Sequence, residues 1–192
     1  MKKILVINGH PDASPERLSS ALARAYRDGA EAVGFEVEQI DIGAIDFPIL
    51  RQPADFTTKS TGEAIVEAQT KFLDANHLVF IFPLWLGGPP ALLKAFLEQL
   101  ARGQFLLREG KHGFPAGGLK GRSGRVIVTM GMPPIVYRVV FGARGIKAFN
   151  QGILRLAGLS PIRTSYFGGS DITPPNCEKL IGKVHQMGRR GS

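Results

Sequence analysis

The sequence of 192 residues contains one cysteine, Cys177, so an internal disulfide cannot form; this usage suits a reducing compartment, and a cytoplasmic protein is expected. Four scattered histidines and that single thiol cannot supply a closed structural zinc set, and no metal site is expected. No apolar run is long enough for a membrane span. The opening Met-Lys-Lys-Ile-Leu-Val has a basic flank, but His10-Pro11-Asp12 ends its short apolar run, so it reads as a first strand rather than a signal peptide. Nucleophile signatures are missing: there is no G-x-S-x-G elbow and no H-E-x-x-H. Neither G-x-G-x-x-G nor G-x-x-x-x-G-K-[ST] occurs, so a Rossmann dinucleotide site and a nucleoside-triphosphate loop are unsupported. Acidic residues are the scarcer charge, 16 against 24 Lys plus Arg, a net of +8. The excess is spread along the chain without a nucleic-acid recognition motif, so no nucleic-acid partner is expected. It suits an anionic cofactor or dinucleotide at least as well.

With 44% hydrophobic and 21% charged residues, the chain reads as one globular domain over 1–192, large enough for a sizeable core. Its organising stretch is Val79 to Leu100. Leu78 to Phe82 is a buried strand that stops at Pro83, since proline cannot donate to a ladder. A short apolar turn carries Trp85, the only tryptophan, and Gly87-Gly88. Pro89-Pro90 then pre-set a helix start, and Leu92, Leu93, Phe96, Leu97 and Leu100 give that helix its inner face. Lys3 to Asn8 is a first strand buried on both faces. Ser14 reads as an N-cap with Pro15 at the first helical position, followed by an apolar face of Leu18, Leu22, Ala25, Tyr26 and Val33 and a stop at Gly34. A more exposed strand follows through Phe35, Val37 and Ile40. Asp41 to Gly62 is a long connection, and Glu63 to Ala75 a helix with Ile65, Ala68 and Phe72 inward. Gly103 to Gly124 gives weak structural signals. Arg125 to Thr129 and Pro161 to Phe167 are strands, with a helix over about Lys147 to Leu156 between them. A last helix starts at Thr173-Pro174 with Leu180, Ile181, Val184 and Met187 inward, and Gly188 to Ser192 should fray.

Strands alternating with helices imply an α/β fold, a doubly wound, five-stranded parallel sheet with helices on both faces. Three strand ends carry distinctive loops, His10 to Ser19, Pro83 to Gly88, and Thr129 to Tyr137, and a flavodoxin-like strand order, 2-1-3-4-5, would bring them together at one edge. The first loop leads into a helix N-terminus, where free N–H groups favour a phosphate; His10, Arg17 and Ser19 add charge and a hydroxyl. Equally, Ser14 could only cap and His10 only pack. The second loop offers an apolar wall with backbone donors, fitting a flat heteroaromatic ring. The third, Thr-Met-Gly-Met-Pro-Pro, permits close approach, with Tyr137 in reach or else at a surface. Cys177, at a helix start, reads as a small neutral helix residue. With no side chain placed for bond-making, the hard chemistry would belong to a bound cofactor.

The motifs G-H-P-D with R-L-S-S-A-L-A, F-P-L-W-L-G-G-P-P-A-L-L-K-A-F, and V-T-M-G-M-P-P-I-V-Y resemble those of the flavodoxin-like NAD(P)H:quinone oxidoreductase family, in the same order and over nearly the whole chain. The resemblance implies a flavin, FMN or FAD with FMN favoured. Its phosphate side would meet His10, Leu18 and Ser19; its ring would lie along Pro83, Leu84, Trp85, Leu86 and Gly87; and Thr129, Met130, Gly131 and Met132 would form the third wall. Tyr137 matches a tyrosine near the ring and is the candidate for assisting charge or proton movement. Phe105-Leu106-Leu107 stand where some members carry tyrosines, and Ala143 and Arg144 stand near a histidine of some members, so a Tyr-His relay does not carry over.

The implied activity is two-electron transfer from NADH or NADPH, through the flavin, to a quinone or to an azo or nitro compound in turn. A homodimer with the site near its interface is implied as well. A second reading, from relatives that act as ancillary subunits, is a flavin-binding regulator associated with a membrane transport protein. A one-electron flavodoxin carrier fits less well, since such carriers are usually acidic.

Overall fold

The computed structural model describes residues 1–60, 62–108 and 116–192. In chain order the elements are β1 (Lys3–Asn8), α1 (Leu18–Glu31), β2 (Glu36–Asp41), α2 (Glu63–Asp74), β3 (His77–Pro83), α3 (Ala91–Leu100), β4 (Leu107–Arg108), β5 (Ala116–Gly117), β6 (Ser123–Met130), α4 (Pro134–Val139), α5 (Arg144–Phe149), β7 (Ile162–Gly168) and α6 (Pro174–Arg190). Five strands make one sheet in the order β2-β1-β3-β6-β7, every pair parallel. This is the expected 2-1-3-4-5 order, because β4 and β5 form a separate antiparallel pair.

The continuous apolar strands are explained by burial on both faces. Ile4, Val6, Val79, Ile81 and Ile127 pack with Leu22, Tyr26, Leu180 and Val184 of α1 and α6. Leu5, Ile7, Leu78, Phe80, Phe82, Val126 and Val128 pack with Phe72, Leu93, Phe96 and Phe149 on the other face. Helices α1 and α6 touch backbone to backbone. A Cβ on Gly29 would stand 2.0 Å from the His185 oxygen, and one on Gly188 2.0 Å from the Tyr26 oxygen. Gly29 therefore sits inside a helix despite its poor propensity, because close packing outweighs a cost of about 1 kcal/mol.

Several expectations are corrected. Helix α1 begins at Leu18, not at Ser14-Pro15. The Arg17 amide donates to the Ser14 oxygen and the Glu16 amide to Ser14 Oγ, so Ser14 closes a turn ahead of the helix. Val33 lies beyond α1 and is exposed, and Leu92 is only half-buried. The loop from Thr129 to Tyr137 ends in a short helix, α4, entered through Pro133-Pro134. The next helix starts earlier than expected, at Arg144, and changes to a π-helical stretch over Asn150–Arg155. The final residues do not fray: α6 reaches Arg190, Lys2 Nζ donates to the Gly191 oxygen and Arg125 Nε to the Ser192 oxygen. Of the weakly patterned stretch Gly103 to Gly124, residues 109–115 lie outside the described residues. Among the described residues no helix is long and apolar enough to cross a membrane, and no cluster of metal-ligating side chains occurs.

Candidate functional site

The carboxyl ends of β1, β3 and β6 hold the three loops, and each loop is joined to the next. His10 and Trp85 meet edge to face with ring centroids 5.8 Å apart. The Leu84 amide donates to the Thr129 oxygen at 2.7 Å. Tyr137 Oη donates to the Gly87 oxygen at 2.8 Å.

The first loop is fixed from beneath by Asn8, a buried polar residue at the end of β1. Its Nδ2 donates to Ser20 Oγ at 3.2 Å and to Asp41 Oδ1 at 2.8 Å, while its Oδ1 accepts from the His10 amide at 3.3 Å. The Asp12 amide donates to His10 Nδ1 at 2.9 Å. A nitrogen that accepts an amide carries no proton, so the neutral ring bears its proton on Nε2. Arg17 does not present a free charge: its Nη2 lies 2.6 Å and its Nε 2.7 Å from Asp12 Oδ2. The Asp12 carboxyl is held below the usual carboxylate range, chiefly by the Ser14 amide and then by the Arg17 guanidinium. Helix α1 has no side-chain N-cap, and the amides of Leu18, Ser19 and Ser20 find no acceptor among the described residues. Orphan donors at the start of a 14-residue helix, beside the Ser19 hydroxyl and His10, fit a phosphate.

The second loop is a two-residue hairpin. Trp85 and Gly88 exchange both backbone hydrogen bonds, at 2.9 and 3.0 Å. Leu86 and Gly87 between them have φ of 48° and 82°, the positive values that a type I′ turn requires. For Gly87 this is free; for Leu86 it costs on the order of 1 kcal/mol. The turn pushes the Leu86 side chain fully into the open, and Trp85 is 48% exposed, so neither residue belongs to the core.

A cavity of about 520 Å³ opens beside this turn, within the range of small-molecule sites. Leu84, Leu86, Gly87 and Gly88 line one side, Met130, Gly131 and Met132 another, and Tyr137, Phe141, Arg144 and Gly145 close it. A Cβ built on Gly88 or Gly131 meets no atom within 4 Å, so a side chain there would fill the space left for a ligand. The amides of Leu86, Gly87, Gly131 and Met132 have no acceptor among the described residues and can meet ring heteroatoms. An apolar slot with backbone donors and a phosphate-type helix start next to it fits a flavin mononucleotide.

Other expected residues stand back from the cavity. Pro83 and Thr129 are paired in register at the strand ends, and Thr129 is buried. Trp85 faces a second, largely apolar cavity of about 610 Å³ with Ala148, Phe149, Gly152 and Ile153. Tyr137 is 2% exposed, and its hydroxyl also accepts from the Ile146 amide at 3.3 Å. Burial raises its pKa, which keeps the proton in place. The O–H donates its hydrogen bond to the Gly87 oxygen, so the hydroxyl holds the turn rather than standing free for transfer. Sequence reasoning missed Asn8, Asp12 and Gly145. A buried asparagine ending an apolar strand is a legible signal; Gly145 offers none. Its absent side chain admits the Gly87 oxygen, which a Cβ would meet at 1.9 Å.

A doubly wound parallel sheet of order 2-1-3-4-5 with its crevice at the strand carboxyl ends is that of the flavodoxin-like class of α/β proteins. The chain belongs to the family described as flavodoxin-like fold, which it matches over residues 2–187. It is 25% identical over 209 residues to a ribosyldihydronicotinamide dehydrogenase-like protein of Penicillium crustosum, covering 90% of this chain and 71% of that one. It is 25% identical over 149 residues to an FMN-dependent NADH:quinone oxidoreductase of Bacillus anthracis, covering 68% of this chain and 70% of that one. Among solved structures, an NAD(P)H:quinone oxidoreductase from Methanothermobacter marburgensis superposes with a TM-score of 0.79 at 16% identity, over 100% of this chain and 99% of that one; this likeness speaks to the fold.

Proposed function

We propose that this chain is a flavin-dependent oxidoreductase, with FMN as cofactor, that moves two electrons from NADH or NADPH to a quinone-type acceptor, the two substrates using one cavity in turn. The observation that carries the reading is that an uncapped helix start at Leu18–Ser20, after β1, and an apolar, glycine-lined slot between the β3 and β6 loops stand at the carboxyl ends of neighbouring strands, linked through the His10–Trp85 contact. The Bacillus anthracis relative, an FMN-dependent NADH:quinone oxidoreductase, supports the cofactor and the reaction class.

The flavin, when bound, supplies the hydride acceptance and donation for which this chain has no group of its own. The protein binds and orients. The amides of Leu18, Ser19 and Ser20, the Ser19 hydroxyl and His10 Nε2 would hold the phosphate. Leu84 to Gly87 and Met130 to Met132 would bound the ring, and Tyr137 keeps the Gly87 turn in place. Each turnover takes one hydride from the nicotinamide and one proton from solvent, and the acceptor leaves as its two-electron-reduced form. Azo and nitro compounds are acceptors on the same electron count. A homodimer with the site near its interface is part of the reading, supported by the exposed Trp85, Leu86 and Phe141 that line the two cavities and by the exposed Val139 and Val140 beside Phe141 in the chain. A cytoplasmic setting is part of the reading, supported by the lone Cys177, which suits a reducing compartment.

The test is titration of the apoprotein with FMN and FAD, followed by NAD(P)H turnover with a quinone. Saturable FMN binding at micromolar concentration with steady-state turnover is expected. Flavin binding without turnover would favour an ancillary, regulatory subunit instead, and no flavin binding removes the reading.

A further inference from the structure

Among the described residues Arg144 is the one charged side chain lining the 520 Å³ cavity; the rest of that wall is leucine, methionine, phenylalanine, tyrosine and glycine. Among the described residues no carboxylate lies within ion-pair distance of its guanidinium and no hydrogen bond engages it. Arg17, by contrast, is held by Asp12.

The backbone that delivers Arg144 is unusual. Gly142 and Ala143 are consecutive left-handed residues, with φ of 64° and 51°, and Ala143 is buried. The turn is fastened by the Ala143 amide donating to the Tyr137 oxygen at 3.0 Å and the Arg144 amide to the Phe141 oxygen at 3.4 Å. A left-handed alanine costs on the order of 1 kcal/mol, and such strain is typically found where a side chain must be aimed. A guanidinium serving only as solvated surface would need no such placement.

Strand order separates this cation from the phosphate end of the site. The His10 loop follows β1 and Arg144 follows β6, with β3 and its Trp85–Gly88 turn between them. The phosphate end already has its own donors. Arg144 is exposed at the edge of this apolar wall, within reach of an entering molecule, and its planar fork matches a carboxylate or sulfonate.

We propose that Arg144 is a specificity-determining residue that selects electron acceptors bearing an anionic group, a carboxylate or sulfonate on the aromatic or quinone ring, by pairing with that group as the acceptor enters the cavity. This rests on the oxidoreductase reading above.

The experiment compares naphthoquinone sulfonate with neutral menadione as acceptors for the flavin-loaded wild type, Arg144→Gln, Arg144→Lys and, as a charge control, the exposed Lys147→Gln. Two quantities are read: the ratio of kcat/KM for the two quinones, and the Kd of naphthoquinone sulfonate for the oxidised holoprotein by calorimetry without nicotinamide. Arg144→Gln should lower the ratio about tenfold and weaken the Kd about tenfold, the scale of a lost charge-assisted pair at an apolar wall. Arg144→Lys should recover part of both, and Lys147→Gln should leave both within about twofold, since Lys147 stands one turn along α5, exposed and outside the cavity lining, where solvent screens it. A wild type that turns over both quinones while Arg144→Gln leaves ratio and Kd unchanged overturns the assignment of Arg144 alone. An equal loss for both quinones also overturns it, pointing to cofactor contact. A wild type that takes up no flavin or reduces neither quinone overturns the oxidoreductase reading, and this proposal with it.

Discussion

Tyr137 and Gly87, fifty residues apart, are joined by a 2.8 Å hydrogen bond from the phenol to the backbone oxygen. The Ile146 amide donates to the same phenol oxygen. One side chain thus ties the β3 turn to α4 and to the first turn of α5, around the mouth of the cavity.

Tyr137→Phe should cost about 1–2 kcal/mol of stability, because it leaves the Gly87 oxygen and the Ile146 amide without their partner. Urea unfolding measures this. Flavin should also dissociate faster, as the turn loosens. The pH profile of turnover should keep its shape; a lost limb would show that the phenol moves a proton after all.

Gly145→Ala would place a methyl 1.9 Å from the Gly87 oxygen. The turn must shift, and FMN affinity should fall by about tenfold or more, on the scale set by loss of one well-placed contact. Gly182→Ala in α6 is the control, since nothing lies within 4 Å of its Cβ. It should stabilise the protein by about 0.5–1 kcal/mol through helix propensity alone.

His10→Ala should weaken FMN binding by about 1–2 kcal/mol, the size of a charge-assisted hydrogen bond to phosphate. Riboflavin has no phosphate, so its affinity should change much less. Fluorescence titration of both ligands separates the cases. Equal losses would mean that His10 acts by buttressing Trp85, whose ring it meets edge to face.

His77, at the start of β3, is buried with its Nδ1 2.7 Å from Ser123 Oγ. Burial first, then the charges of Lys2, Arg125 and Arg163, push its pKa from 6.5 down to about 3. The folded protein therefore leaves it neutral where the unfolded chain binds a proton. Stability is lost as pH falls below 6.5, and the loss continues to about pH 3. Between pH 7 and 5 this one group should remove about 2 kcal/mol. His77→Asn should shrink that pH-dependent gap by about the same amount, as measured by urea midpoints at the two pH values.

The chain order of strands and helices was legible because each buried strand is a continuous apolar run and each helix repeats its apolar residues at helical spacing. Leu78–Phe82 and the face Ile65, Ala68, Phe72 follow directly from that, as does the convergence of three loops in a parallel sheet. Side-chain commitments were not legible. Arg17 was expected on the phosphate side, and the structure pairs it with Asp12; Tyr137 was the candidate for assisting charge or proton movement, and its hydroxyl is hydrogen-bonded to the Gly87 oxygen. Trp85 was rightly placed outside the core, yet it faces the cavity of α3 and α5 rather than the slot beside Met130.

The sequence alone determined the layer architecture and, through the likeness of its motifs, the sheet order, since local periodicity marks each element and the handedness of parallel connections leaves few alternatives. The tertiary structure alone decided which polar atoms remain available for a ligand. Pairing depends on through-space distance between residues far apart in the chain, and no local pattern encodes that Gly145 must be bare to admit Gly87 or that Arg144 finds no carboxylate partner among the described residues at its apolar wall.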